Sequence, residues 1–190
     1  MRALVEKAIS RLKGEAYALD ASISAWALAG LTIERGLSAA RGLWIRARVQ
    51  GKGVIFASRG VRVRRCGRAA FGRGVTLQDN VRIDALCKGR FSIGNNVTIG
   101  RGTTVESYGV IRNLGESLVI GDNVGIGAYS HIGMRGPIEI GENTIMGPYV
   151  SFHAENHIFE DPGTLIRLQG ESRKGIAVGR DCWIGAKATI

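Results

Sequence analysis

The chain has 190 residues, 45% hydrophobic and 22% charged, a composition that excludes a disordered chain and suits one domain with a small appendage. Its formal net charge is +10, and glycine reaches 28 residues against 3 prolines. Glycine without a G-x-y period excludes collagen and predicts many tight corners needing positive φ. Three cysteines, an odd number, argue against a disulfide scaffold.

The N-terminal segment MRALVEKAISRLKGE mixes charged and apolar residues and lacks the apolar run of a signal peptide. The uncharged stretch from Ala21 to Ile33 is too short to span a bilayer. These features read as a cytoplasmic protein. Residues 2–13 and about 20–46 are predicted as helices, with Asp20 as N-cap of the second. That helix carries Trp26, Leu28, Leu31, Leu37, Leu43, Trp44 and Ile45, with arginines at 35, 41, 46 and 48. It packs on the rest of the fold or on another subunit, or lies as a basic, Trp-anchored helix at the inner membrane surface. No helix-turn-helix, zinc-finger or RNA-binding aromatic pattern accompanies the basic charge, so no nucleic-acid partner is expected.

Residues 51–70 (GKGVIFASRGVRVRRCGRAA) read as an irregular first coil with Arg59, Arg62, Arg64, Arg65 and Arg68 as an exposed cap. From Phe71 onward an apolar residue recurs at every sixth position in groups of three. The groups are Phe71, Leu77, Ile83; Ile93, Ile99, Val105; Ile120, Ile126, Ile132; Ile140, Met146, Phe152; and Val178, Ile184, Ile190. Glycine follows ten of these residues. A period of six fits neither a helix nor one long strand. It fits short strands whose alternate side chains point inward, each followed by a corner, three strands to an 18-residue triangular coil. Spacing within groups is always six, but between groups it is 10, 15, 8 and 26. Every insertion therefore follows the third strand and falls on one edge of the prism, and the largest spans about 153–175. Two units follow: a helical segment, 1–50, and a β domain, 51–190.

The hexads resemble those of the hexapeptide-repeat acyltransferases over Phe71 to Ile190. The stretches NHIFEDPGTLIRLQG and GIAVGRDCWIGAKATI bring the likeness close to the sugar O-acetyltransferases of polysaccharide biosynthesis, and more distantly to maltose, galactoside and serine acetyltransferases. The resemblance implies a mainly β fold, a left-handed parallel β-helix of hexapeptide repeats with an N-terminal α-helical segment. It implies a homotrimer, acetyl-CoA as co-substrate, no metal, and transfer to a hydroxyl of a surface polysaccharide or its precursor. It assigns the general base to His157, at the Asn156–His157 step of the long loop. Trp183 becomes an apolar wall, and Gly185 and Ala186 line the thioester and supply a backbone donor to the oxyanion. His153, Asn156 and Arg167 are placed against the acceptor, Arg167 being suited to a carboxylate or to cofactor phosphates. Glu155, Glu160 and Asp161 lie near enough in sequence to orient the base, although a backbone carbonyl would serve. His131 should face outward, Cys182 should pack in the core, and no cysteine is needed as nucleophile. The family continues beyond the position of Ile190 with coils that hold much of the coenzyme A site. Two rival readings remain: a γ-type carbonic anhydrase with the three histidines on zinc, and a non-catalytic membrane-associated scaffold.

Overall fold

A computed structural model describes residues 2–14, 16–107 and 111–190. Two helices come first, α1 (Arg2–Lys13) and α2 (Ala25–Arg46). The expected N-cap shifts. Asp20 accepts from the amide and hydroxyl of Ser22 in a local turn, and Ser24, in extended conformation, accepts from the Ala27 amide to start α2. Both residues are good caps; Asp20 spends its carboxylate two residues on.

Strands then run in coils. The first holds β1 (Ile55–Ala57) and β2 (Arg62–Arg64); the second β3 (Ala70–Phe71), β4 (Val75–Leu77) and β5 (Arg82–Asp84). The third holds β6 (Phe91–Ile93), β7 (Thr98–Ile99) and β8 (Thr104–Glu106); the fourth β9 (Leu118–Ile120), β10 (Gly125–Ile126) and β11 (His131–Gly133). The fifth holds β12 (Ile138–Ile140), β13 (Ile145–Met146) and β14 (Ser151–His153). An arm follows, built of β15 (Asn156–His157), α3 (Ile166–Gln169) and β16 (Glu171–Ser172). The last coil contains β17 (Ile176–Val178) and β18 (Trp183–Ile184).

Among the described residues these strands form three parallel sheets. Face A is β3-β6-β9-β12-β17, face B is β1-β4-β7-β10-β13-β18, and face C is β2-β5-β8-β11-β14. Each of the four middle coils contributes one strand to each face, while the first gives strands to faces B and C and the last to faces A and B, and the architecture is a left-handed parallel β-helix. The register is that of the hexads: Ile93 pairs with Ile120, Leu77 with Ile99, Ile132 with Phe152. The repeated side chains from Phe71 to Phe152 are all buried, while the last coil, with a neighbour on one side, leaves Val178 and Ile184 partly and Ile190 largely exposed. Cys182, expected in the core, is only half-buried in this coil, its thiol near the Arg180 carbonyl.

The segment 51–70 is more regular than expected. Ala57 pairs with Leu77 and Val63 with Ile83, so the hexad register begins a full coil earlier. The five arginines do stand exposed, and Arg65 pairs with Asp84. Ile45, in the last turn of α2, and Val49, in the turn that follows it, join the same core as Ala57 and Val63. The helix backbone touches β1, since a Cβ on Gly42 would lie 1.8 Å from the Ile55 carbonyl oxygen.

The corners also correct the reading of glycine. Those that follow an inward residue, such as Gly94 and Gly127, do not carry positive φ. They are needed because the next coil passes too close: a Cβ on Gly127 would lie 2.2 Å from the carbonyl carbon and oxygen of Gly147. Left-handed backbone occurs two residues later, at Asn96 (φ 56), Asn123 (φ 57) and Asn143 (φ 61). Asparagine tolerates that conformation, and Asn96 donates to Asn123 and Asn123 to Asn143, both at 3.1 Å, in a ladder up the edge between faces A and B.

The insertions join face C to face A, as the spacing requires: β5 to β6, β8 to β9, β11 to β12 and β14 to β17. Residues 108–110 of the second insertion lie outside the described residues.

Candidate functional site

The largest insertion leaves the C–A edge after β14 and returns before β17. β15 and β16 pair antiparallel, Asn156 opposite Ser172 and His157 opposite Glu171. The strands are followed and preceded by a tightly tied tip. Asp161 accepts from the Gly163 amide at 2.8 Å and the Thr164 hydroxyl at 2.6 Å, and those bonds, the hydroxyl first, hold its carboxyl below the usual range. The Gln169 amide donates to the carbonyls of Asp161 and Thr164. Phe159, Leu165, Ile166 and Leu168 stand exposed along the arm, as does Arg167 in α3.

His157 itself is exposed, and its ring makes no hydrogen bond among the described residues. The three neighbouring acids are occupied elsewhere: Glu155 pairs with Arg135, Glu160 accepts from the Phe159 amide, and Asp161 closes the turn.

What holds the arm in place is an ionic cluster at its root. The side chain of Arg135, only 10% exposed, lies 3.0 Å from Glu155, just before β15, and 3.0 Å from Glu171 on β16. Arg173 donates to Glu171 at 2.8 Å and to the Leu114 carbonyl at 3.0 Å, and Asn113 donates to Glu171 at 3.2 Å. The bond from Arg173 and then the two guanidinium charges hold the Glu171 carboxyl at about 2, against an ordinary 4.5. No motif marks these residues. They come from three insertions that are stacked in space and far apart in sequence.

Two predictions follow from the root. Replacing Arg135 with Met leaves two carboxylates facing each other at a half-buried site. A loss of about 2 kcal/mol is expected, less than for fully buried pairs because both glutamates keep solvent contact. Amide exchange across 155–172 should accelerate while the strands of the prism stay protected. The depressed Glu171 value gives stability that is complete above its ordinary pKa and is lost as the carboxylate takes up a proton. The arm should therefore loosen as pH falls from about 4.5 toward about 2; cleavage by pepsin at the exposed Leu165 and Leu168, or amide exchange corrected for its own pH dependence, reads this.

Face C carries the other two histidines. His131 is half-buried, its Nδ1 2.8 Å from the Thr104 hydroxyl, and burial lowers its pKa, with Glu106 opposing and His153 adding. His153 is exposed, its Nε2 2.9 Å from the Ser151 hydroxyl, and the two rings lie 5.5 Å apart. Toward β2 the same face forms a groove of about 320 Å³ lined by Arg62, Arg64, Arg82, Asp84, Glu106 and Ser107. Guanidinium groups on such a face suit phosphate or carboxylate. Among the described residues no group of three His, Cys, Asp or Glu side chains is placed to hold a metal ion.

The residues assigned to the thioester lie elsewhere. Trp183 stands outward on face B, 80% exposed and in register with exposed Ile145. Gly185 and Ala186 form the turn into the edge between faces B and C, Ala186 directly above Gly147. Tyr129 and Tyr149, stacked at 5.4 Å, line this edge below them. One chain thus brings Asn156 and His157 together on the arm, with Arg167 at its tip and His153 at its base. Trp183 on face B and Gly185 and Ala186 on the adjoining B–C edge lie apart from the arm, and no hydrogen bond among the described residues joins the arm to them.

No protein-family model matches the chain, and no solved structure matches it. It is similar to the probable acetyltransferase Rv3034c of Mycobacterium tuberculosis, with 28% identity over 125 residues. The matched region covers 65% of this chain and 38% of that protein, so the chain spans well under half the length of the relative it resembles.

Proposed function

We propose that the protein is an acetyl-CoA-dependent O-acetyltransferase whose acceptor is a sugar hydroxyl of a polysaccharide or its precursor. The observation that carries this reading is the arm: a solvent-facing imidazole held beside the C–A edge by a buried guanidinium. The similarity to a probable acetyltransferase supports the reaction class. An imidazole takes a hydroxyl proton near neutral pH. In the proposed step the acceptor O–H gives its proton to His157 as its oxygen attacks the acetyl carbonyl carbon. The oxygen–acyl bond forms, the carbon–sulfur bond breaks, and the proton passes to the departing thiolate. When bound, acetyl-CoA supplies the activated acyl group. No acyl-enzyme and no cysteine take part.

His157 on the C–A edge is apart from Trp183 on face B and Ala186 on the B–C edge, so the site is proposed to close between copies. The arm of one chain meets face B and the adjoining edge of the next, in a trimer of parallel prisms. The backbone N–H groups of Gly185 and Ala186 then face the oxyanion, and Trp183 walls the thioester arm. Purified protein incubated with acetyl-CoA and bacterial oligosaccharides tests this. Thiol release that depends on acceptor, with an acetylated sugar seen by mass spectrometry, is expected. Absence of both, with intact coenzyme A binding, overturns the reading.

A further inference from the structure

We propose that the α2 end of the prism docks on the surface of an anionic lipid bilayer, through the outer stripe of α2 and the arginines around it. The sequence charge is strongly lopsided. Residues 1–90 hold eighteen Lys and Arg against six Asp and Glu, a net +12, while residues 91–190 hold eight against ten, a net −2. In the fold this split is largely spatial: the first two coils and the part of α2 that packs on them hold most of the excess and occupy one end of the column, while α1 reaches the third coil, where the Lys13 carbonyl accepts from Asn96 at 3.2 Å.

At that end α2 is two-sided. Leu28, Ser38, Gly42 and Ile45 are buried, and Arg35 stacks on Phe56 of face B with its guanidinium 3.6 Å from the ring centre. The opposite side is apolar and open. Trp26, Ile33, Leu37 and Trp44 are 89%, 64%, 50% and 71% exposed, with Leu43 beside them at 69%. Trp26 and Trp44 are five turns apart, so their indoles share one side of the helix about 27 Å from each other. Exposed Arg41 edges the stripe, and Arg48 lies over the Trp44 ring at 5.9 Å. Arg59, Arg62, Arg64 and Arg68 are exposed on the same basic end.

Indoles at both ends of an apolar stripe, rimmed by arginine, match the boundary between headgroups and acyl chains. No helix among the described residues is long and apolar enough to cross a membrane, so the helix would lie in the surface plane. Charge decides between a bilayer and a second copy of this chain. A second copy on the stripe sets one strongly basic end against another, whereas an anionic surface complements it. The proposal needs no assumption about acetyl transfer.

Co-sedimentation of the whole chain with vesicles tests it. Binding is expected to equal parts phosphatidylcholine and phosphatidylglycerol at low salt, and not to phosphatidylcholine alone. Trp26→Ser with Trp44→Ser, both exposed and so compatible with the fold as checked by circular dichroism, should cut the partition coefficient about tenfold or more. In a Trp183→Phe background the remaining indole emission should shift to the blue on anionic vesicles. Failure of the wild-type chain to bind the anionic vesicles overturns the proposal. So does wild-type binding by the double Trp variant, which would mean that charge alone acts. So does dissociation of an oligomer by the same substitutions in sedimentation velocity, which would make a second copy the occupant.

Discussion

Replacing His157 with alanine is expected to slow acetyl transfer by about 10²- to 10⁴-fold, the contribution of a positioned general base. The thermal midpoint should not move, because the ring is exposed and makes no hydrogen bond among the described residues. His157→Gln should be nearly as inactive, since an amide keeps the shape and loses the basicity. The loss should fall on the turnover of bound acetyl-CoA, leaving its affinity intact. A complementation experiment tests the shared site. His157→Ala and Trp183→Ala chains, each impaired alone, should regain part of the activity when co-expressed, because some interfaces then pair an intact arm with an intact wall. Turnover by His157→Ala within a few-fold of wild type removes the base. Failure of mixed chains to recover places both groups in one protomer's site.

Gly127→Ala should be strongly destabilising. The added carbon would lie 2.2 Å from the carbonyl carbon and oxygen of Gly147 and 2.5 Å from the Pro148 nitrogen. These are backbone atoms on a coil that is itself paired above and below, so nothing nearby can rotate away. A cost of about 3 kcal/mol is expected, at the upper end for an overpacked core. Gly125→Ala, two residues earlier, is the control. Its Cβ would meet only the Ile145 side chain, at 3.7 Å, an ordinary contact. Thermal unfolding of the two variants should therefore differ widely; equal midpoints would mean that the coils can separate at little cost.

The parts of the molecule legible from sequence are those set by local pattern. The hexads from Phe71 to Phe152 announce the inward positions because each lies in one short strand, with its partner at the same place in the next coil. The spacing of the insertions announces the edge they share. Ala57 and Val63 do not stand out in the sequence because Ile45 from α2 and Val49 from the turn after it join the same core and relieve the first coil of the need for large residues. The role of Gly94 and Gly127 could not be read locally, since it depends on how near the next coil passes. The same limit applies to the site. An imidazole in the long loop is visible as a motif. Arg135 with Glu155, Glu171 and Arg173 is not, because those pairs span up to 36 residues and exist only once the insertions are stacked.

The C–A edge also bears on how such a molecule changes over time. Each coil is bonded to the coils above and below it, so chain added at this edge disturbs neither the ladder nor the packed interior. Four lengths of insertion already coexist there in one protein. Selection can therefore lengthen, shorten or exchange those excursions while the column stays as it is. What the molecule recognises is then free to diverge much faster than its framework.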